Sequence, residues 1–531
     1  MKFKFLIFLF IWVVLTVVPS LAEVHIWPDY LGVTLPPNIA PLNFKLVGTG
    51  PTPMGTGPKS VGTGPKSVGI DPKSVGTGPK SVGTDPESVG TDPKSVGTDP
   101  GRAVLTAADG SQLAVKADQQ GIVRWPLKSW RRFIAAHAGE SVLLSLSVRG
   151  EKLVVTNHIA QAAIDSHLTY RLIPPSYVNY HRLGLYQRDL ASFEERPIYR
   201  NCQLSRSHCI NCHTPNRANS DEFLFHVRKN FEGTVVVSPK WGRRKLALKA
   251  KGLPARGTYP AWHPSGDFIC FSFNETRQMF YLDDPDMIEV MDFQSDLALY
   301  SFSDGTITPI ENEPLAFETF PTWSPDGHTL YSVRTRAPGD HLPEDYKARS
   351  DFICEHAQEL RYDLVARDFD PQTRRLSSLR RVVDTQGSHR SITFPRVSPD
   401  GRWLVMTVGP YGNFHVWHRT ADLWIVDLSG AAGMRPLDEL NSPQSESYHT
   451  FSRDGRWMVF SSRREDGAYT RPCFAHFDPT TGRFDKPFIL PVENPNDHVE
   501  RLLSYNVPEF SAGWVAVRPG DLRKLVEAEA N

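Results

Sequence analysis

Cys209, Cys212 and His213 fall in the order C-x-x-C-H within SHCINCHTP. That order suits covalent attachment of haem. Two thiols three positions apart reach both vinyl groups of the porphyrin as thioethers, and the following imidazole can turn to the iron. The expectation is one haem c, with Cys209 and Cys212 as covalent anchors and His213 as proximal axial ligand. Three other uses of the same residues stay open. Zinc would need further ligands, which Cys202 and His208 could supply. A plain structural disulfide is the second. A redox dithiol is the third, but it normally belongs to a βαβ pattern, which is absent here.

The sixth iron ligand is not set by spacing. His226, in FLFHVR, lies close in sequence. His263 and His449 are further imidazoles, and Met279 and Met406 are the thioether candidates. His418, Arg463 and Arg464 are candidates for lining the same site, with Trp417 beside them. The bland alternative for each is structural: a hydrogen-bonded histidine on a turn, or an arginine packed on an aromatic ring. There is no G-x-S-x-G nucleophile elbow, no H-E-x-x-H and no phosphate-binding loop.

The elements that must hold these residues repeat. Four segments share one pattern: YPAWHPSGDFICFSF (259–273), FPTWSPDGHTLYSV (320–333), FPRVSPDGRWLVMTV (394–408) and YHTFSRDGRWMVFSS (448–462). Each has an aromatic lead-in, a Ser/His-x-x-Gly turn and an alternating apolar strand. Outer strands such as YDLVARDF and ADLWIVDL fall between the copies. This is the signature of four-stranded propeller blades. His263 replaces the serine of the turn, and His449 stands where the other copies have Pro260, Pro321 and Pro395. Departures from a repeat that the fold does not require are informative, so both histidines are candidates for facing the central channel. The spacing leaves room for insertions at 282–296 and 337–351. With Phe223–Leu248 and Tyr505–Val517 completing the ring, five to six blades are expected.

Upstream, short strand-like segments at 103–105, 112–115, 121–125, 141–148 and 152–157 read as a small β-sandwich, with a helix at 129–136. Residues 49–101 interrupt it with a seven-residue repeat of the type GTGPKSV. Proline and glycine in every unit exclude a helix, and one valine per unit cannot offset the ordering entropy, so this is a spacer. At the N-terminus, Lys2 and Lys4 precede an apolar run from Phe5 to Val18 and the small-residue site ending at Ala22. That is a secretory signal peptide, too short for a membrane span, and the mature chain would begin at Glu23.

The domains expected are therefore a signal peptide (1–22), an N-terminal β domain (23–48 and 102–200), the repeat insertion (49–101), a C-x-x-C-H segment (201–221) and a propeller (222–531). The fold class is all-β. The chain has 59 basic and 59 acidic residues among 531, which gives no reason to expect nucleic acid or an anionic membrane surface as partner.

The W-S-P-D-G turns resemble those of TolB-like propellers over about residues 222–520. The whole mature chain resembles a group of exported Bacteroides-type proteins that join a β domain, a C-x-x-C-H segment and a TolB-like propeller. VTLPPNIAPLNF, CINCHTP, LFHVR, YPAWHPSG and SYHTFSRDGRWMVFSSRR carry that resemblance. The repeat at 49–101 departs from it. The resemblance implies a periplasmic or secreted location and a cytochrome-like motif, without a settled activity. Three functions follow as expectations: a mono-haem electron-transfer or haem-sensing protein docking a redox or cell-envelope partner; a non-enzymatic binding scaffold with structural zinc or a disulfide at the motif; or a haem enzyme with an open iron site.

Overall fold

The computed structural model describes residues 24–47, 101–174, 180–203, 208–250, 252–253, 257–281, 286, 288–310, 313–431 and 433–530. The expected signal peptide lies outside the described residues, as does the seven-residue repeat apart from Gly101.

Among the described residues, six sheets of four or five strands form the propeller. Blade 2 runs His208–Pro215, Phe223–Lys229, Gly233–Ser238 and Gly242–Leu246. Blade 3 runs Gly257–Trp262, Phe268–Phe280, Ile288–Ser301 and Ile307–Pro309. Blades 4, 5 and 6 begin at Ala316–Trp323, Ser391–Val397 and Glu446–Phe451. Blade 1 is assembled from both ends of the domain. Ser504–Ser511 is its first strand and pairs antiparallel with His167–Ile173, followed by Gly184–Asp189 and Glu195–Arg200. The first strands of consecutive blades touch one another all the way round, which closes the ring about an axis.

This order redraws two boundaries. The strands His167–Ile173, Gly184–Asp189 and Glu195–Arg200, grouped above with the N-terminal domain, belong to the propeller because the Ser504–Ser511 strand completes their sheet. The C-x-x-C-H segment is no separate unit; it is the first strand of blade 2. Phe223–Leu248 and Tyr505–Val517 do complete the ring, in different blades.

The repeat chemistry explains the blades. In blades 4, 5 and 6, Ser324, Ser398 and Ser452 bond Asp326, Asp400 and Asp454 through Oγ, and the same Oγ accepts the backbone N–H of Thr329, Trp403 and Trp457. That clamp forces the reversal that Gly327, Gly401 and Gly455 complete at positive φ. The second strands at Trp403–Gly409 and Trp457–Ser462 are buried throughout, because both faces pack on neighbouring blades. Blades are also pinned laterally: Trp262 Nε1 donates to the Thr214 carbonyl and Trp323 Nε1 to the Ala261 carbonyl, each in the preceding blade.

The N-terminal domain has a five-stranded and a three-stranded sheet with a helix at Leu127–Ala136. Trp125 and Trp130 are buried in its core and donate to the Leu42 and Ile39 carbonyls. That core is continuous with blade 6. Trp27 Nε1 reaches Glu465, and Asn43 reaches the carbonyls of Val492 and Glu493. The expected insertions also take form. The strands Phe268–Phe280 and Ile288–Ser301 pair along their length and extend beyond blade 3 as an arm, and Tyr346–Glu355 makes a helix against it.

Candidate functional site

Every first strand carries the same irregularity. Its pairing skips two residues between Asn211 and Thr214, Thr258 and Ala261, Thr319 and Thr322, Thr393 and Arg396, Ser447 and Thr450, and Asn506 and Glu509. The first skipped residue has positive φ in all six: Cys212, Tyr259, Phe320, Phe394, Tyr448 and Val507, between 42° and 52°. A non-glycine residue adopts that conformation only under strong local constraint. The second skipped residue is proline in four blades and histidine, His213 or His449, in two.

The six left-handed residues form a waist on the axis. Four are aromatic and stack in sequence: ring centroids are 4.2 Å apart for Tyr259 and Phe320, 4.2 Å for Phe320 and Phe394, and 4.4 Å for Phe394 and Tyr448. Cys212 and Val507, in adjacent blades, complete the circle with small side chains.

A cavity lies on either side of the waist. The one toward the Ser-x-x-Gly turns is about 400 Å³ and is walled by Trp262, Trp323, Phe451 and a set of prolines. The other, about 770 Å³, is the chamber that holds the motif cysteines. The waist aromatics form its floor. Glu275, Thr276, Gln278 and Val290 of the arm, with Tyr346, form part of its roof. Arg171, Arg228, Lys229 and Arg396 reach its wall, against the carboxylates of Glu275 and Glu509.

Cys209 and Cys212 are both free thiols, half-buried, and both line the chamber. They fit a covalently held group. His213 lines the same chamber, and its ring is also held on the side away from it. The ring is buried and has the Thr169 backbone of blade 1 as hydrogen-bond partner. Burial lowers its pKa to about 4, so it is neutral. Its Nε2 is buried without a hydrogen-bond partner, and the slot that the ring borders beside Thr169, Leu185 and Ile198 has only about 10 Å³ of space. His449 has the equivalent post: its Nε2 bonds the Val405 carbonyl at 2.9 Å in the preceding blade. Val405 pairs with Arg396 just as Thr169 pairs with Glu509, at matching points of the repeat. His213 and His449 are thus pins between blades, which corrects the expectation that His449 faces the channel.

The other candidates do not meet His213. His226 pairs across from Asn211, bonds Thr234 Oγ1 through Nδ1 at 2.6 Å and packs against Phe271 of blade 3, whereas His213 packs against blade 1. His263 lies at the turn; it bonds Ser265 and the Gly327 carbonyl and packs edge-on to Trp323. Met406 is fully buried in a core cluster, and Met279 lies against the same cluster on the arm. His418 is buried with Nε2 2.6 Å from Glu289 on the arm. Arg463 donates to the Val416 and Ala468 carbonyls and covers the Trp417 ring, while Arg464 bonds Ser462 and Glu446. His418, Arg463 and Arg464 are not among the residues of the chamber wall. Among the described residues no group of three or more His, Cys, Asp or Glu side chains stands together as a metal site would need. His208 bonds the Tyr199 hydroxyl, and Cys202 is exposed.

One feature had no sequence signal. Asp292, on the arm, is buried and accepts hydrogen bonds from Asn274 of its partner strand and from Asn413. Burial pushes its carboxyl up to about 7.

No protein-family model matches the sequence, and no curated protein is similar to it. Solved structures with a similar chain path include TolB from Acinetobacter baumannii, 14% identical over 70% of this chain and 79% of that one, with a TM-score of 0.40. Others are an oligogalacturonate lyase from Vibrio parahaemolyticus (12%, 57% and 71%, TM-score 0.34) and a puromycin-hydrolysing peptidase from Mycobacterium tuberculosis (13%, 60% and 45%, TM-score 0.36). The chain is an all-β protein, a six-bladed propeller with an N-terminal β domain, on the strength of its strand order and repeat chemistry.

Proposed function

We propose that this chain is an exported, non-catalytic binding protein that holds a small ligand in the chamber between the waist and the arm. The observation that carries the reading is the chamber itself: about 770 Å³, floored by stacked aromatics, roofed by an arm and walled by convergent polar groups. Export rests on the basic and apolar pattern of residues 2–22. Among the described residues no helix is long and apolar enough to cross a membrane.

A second reading keeps the covalent haem c and an electron-transfer or sensing role. It is favoured by two free thiols that open on the chamber and by the unpartnered Nε2 of His213. It requires the His213 ring, which already lines the chamber, to turn an imidazole nitrogen toward it.

Intact mass spectrometry separates the two. The chain is exported in a host carrying c-type maturation machinery, then weighed under native and denaturing conditions. A mass increment that vanishes on denaturation, and vanishes in Thr276→Trp, is the expected result. An increment that survives denaturation and disappears in Cys209→Ser/Cys212→Ser, with a positive haem stain, would replace the first reading by the second. A native increment retained in Thr276→Trp would move the ligand out of the chamber.

A further inference from the structure

We infer that the chamber's ligand is a small organic anion with a flat apolar face, an inference that rests on the chamber being the ligand site. Two surfaces meet there. The floor is a run of aromatic rings, with Phe320 and Phe394 buried and flanked by Tyr259 and Tyr448. Such a surface takes a planar or apolar group by offset stacking.

The wall supplies positive charge. Arg171, Arg228, Lys229 and Arg396 stand against Glu275 and Glu509, an excess of two. Glu509 is paired with Arg396 at 3.7 Å, so these two offset each other and the excess rests on Arg171, Arg228 and Lys229 against Glu275. Arg171 is fixed in place: its guanidinium donates to the Ile210 carbonyl, to Asn211 and to Asn506. Its Nε is buried with no partner. A preset cation in a walled cavity acts on an anion with less screening than at an open surface. The arm adds amide and hydroxyl groups from Gln278 and Thr276 over the same space. A carboxylate, sulfonate or phosphate group would face the wall while its apolar body lies on the floor.

Two dyes test this on the full chain. 8-Anilinonaphthalene-1-sulfonate and N-phenyl-1-naphthylamine share their aromatic body and differ in the sulfonate. Fluorescence titration is expected to give one site for the sulfonate, bound at least about tenfold more tightly than the neutral dye. Arg228→Gln/Lys229→Gln, at a half-buried and an exposed position, should weaken the sulfonate by about tenfold and leave the neutral dye within about twofold. Thr276→Trp should abolish both. Near-UV circular dichroism checks that each variant keeps its packing. Equal binding of the two dyes, both lost in Thr276→Trp, would keep the chamber as ligand site and overturn the anion. Binding that survives Thr276→Trp would overturn both readings, and a wild type that binds neither dye would overturn the flat anion.

Discussion

Replacing His449 by proline should harm this protein less than replacing it by alanine, the reverse of what proline does in an ordinary strand. Proline in the middle of a sheet removes a ladder hydrogen bond and is normally confined to edges. Here the pairing skips Tyr448 and His449, so no ladder bond is at stake. Four of the six blades already carry proline at this place, after a residue with positive φ. The loss is the bond from His449 Nε2 to the Val405 carbonyl, about 1 kcal/mol net. The gain is a restricted unfolded chain, about 0.4–1 kcal/mol. His449→Pro should therefore cost about 1 kcal/mol or less. His449→Ala loses the same bond without that gain and empties a larger volume at a side chain that is itself only 2% exposed, for about 2–3 kcal/mol. Guanidinium unfolding followed by tryptophan fluorescence gives both numbers. If His449→Pro proves about 2 kcal/mol worse than His449→Ala, the repeat equivalence is wrong, and with it the account of His213.

Gly327 lies at φ +77°, and a Cβ there would sit 2.5 Å from His263 Nε2. Gly327→Ala should cost about 2–3 kcal/mol, and His263→Ser, the residue of the other turns, should recover about 1 kcal/mol of it in a double-mutant cycle. The Asp292 carboxyl, raised to about 7 by burial, keeps its proton in the folded chain while the unfolded chain loses it near pH 4. Its stabilising contribution is thus full below about pH 4 and is lost as pH rises through about 7. Asp292→Asn should flatten that slope in denaturant midpoints taken from pH 4 to 8; an unchanged slope would assign it to other groups such as Glu318, also raised to about 7 by burial. Glu289→Gln leaves His418 without its carboxylate at a buried 2.6 Å contact. Amide exchange across 288–294 should then speed up several-fold with the rest of blade 3 unchanged, consistent with a local loss of about 2 kcal/mol.

The four blades with an aromatic-proline or aromatic-histidine lead-in and a Ser/His-x-x-Gly turn were legible because those residues sit at fixed offsets and each has a backbone task. Blades 1 and 2 were not. Val507 and Cys212 replace the aromatic, and blade 1 is divided between residues 167–200 and 504–511, which no local pattern reveals. The same gap explains the double meaning of Cys212 and His213. N-C-H-T at 211–214 is the counterpart of S-Y-H-T at 447–450, a comparison the haem motif obscured. His418 could not be placed because its partner Glu289 is 129 residues away, on an arm whose course depends on tertiary contacts.

The closure of blade 1 gives this chain a seam. Arg171 and Asn506 meet across it from 335 residues apart, so the ring is sealed by a contact between distant parts of the chain. Loop-closure entropy opposes such a contact until everything between is in place. A chain that emerges N-terminus first carries the 167–173 strand with an open edge until the 504–511 strand arrives. An unpaired edge is a template for other chains. Loss of the 504–511 strand should therefore produce strand-exchanged or aggregated protein rather than a five-bladed ring, and the same strand, supplied as a separate peptide, should compete for the seam during refolding.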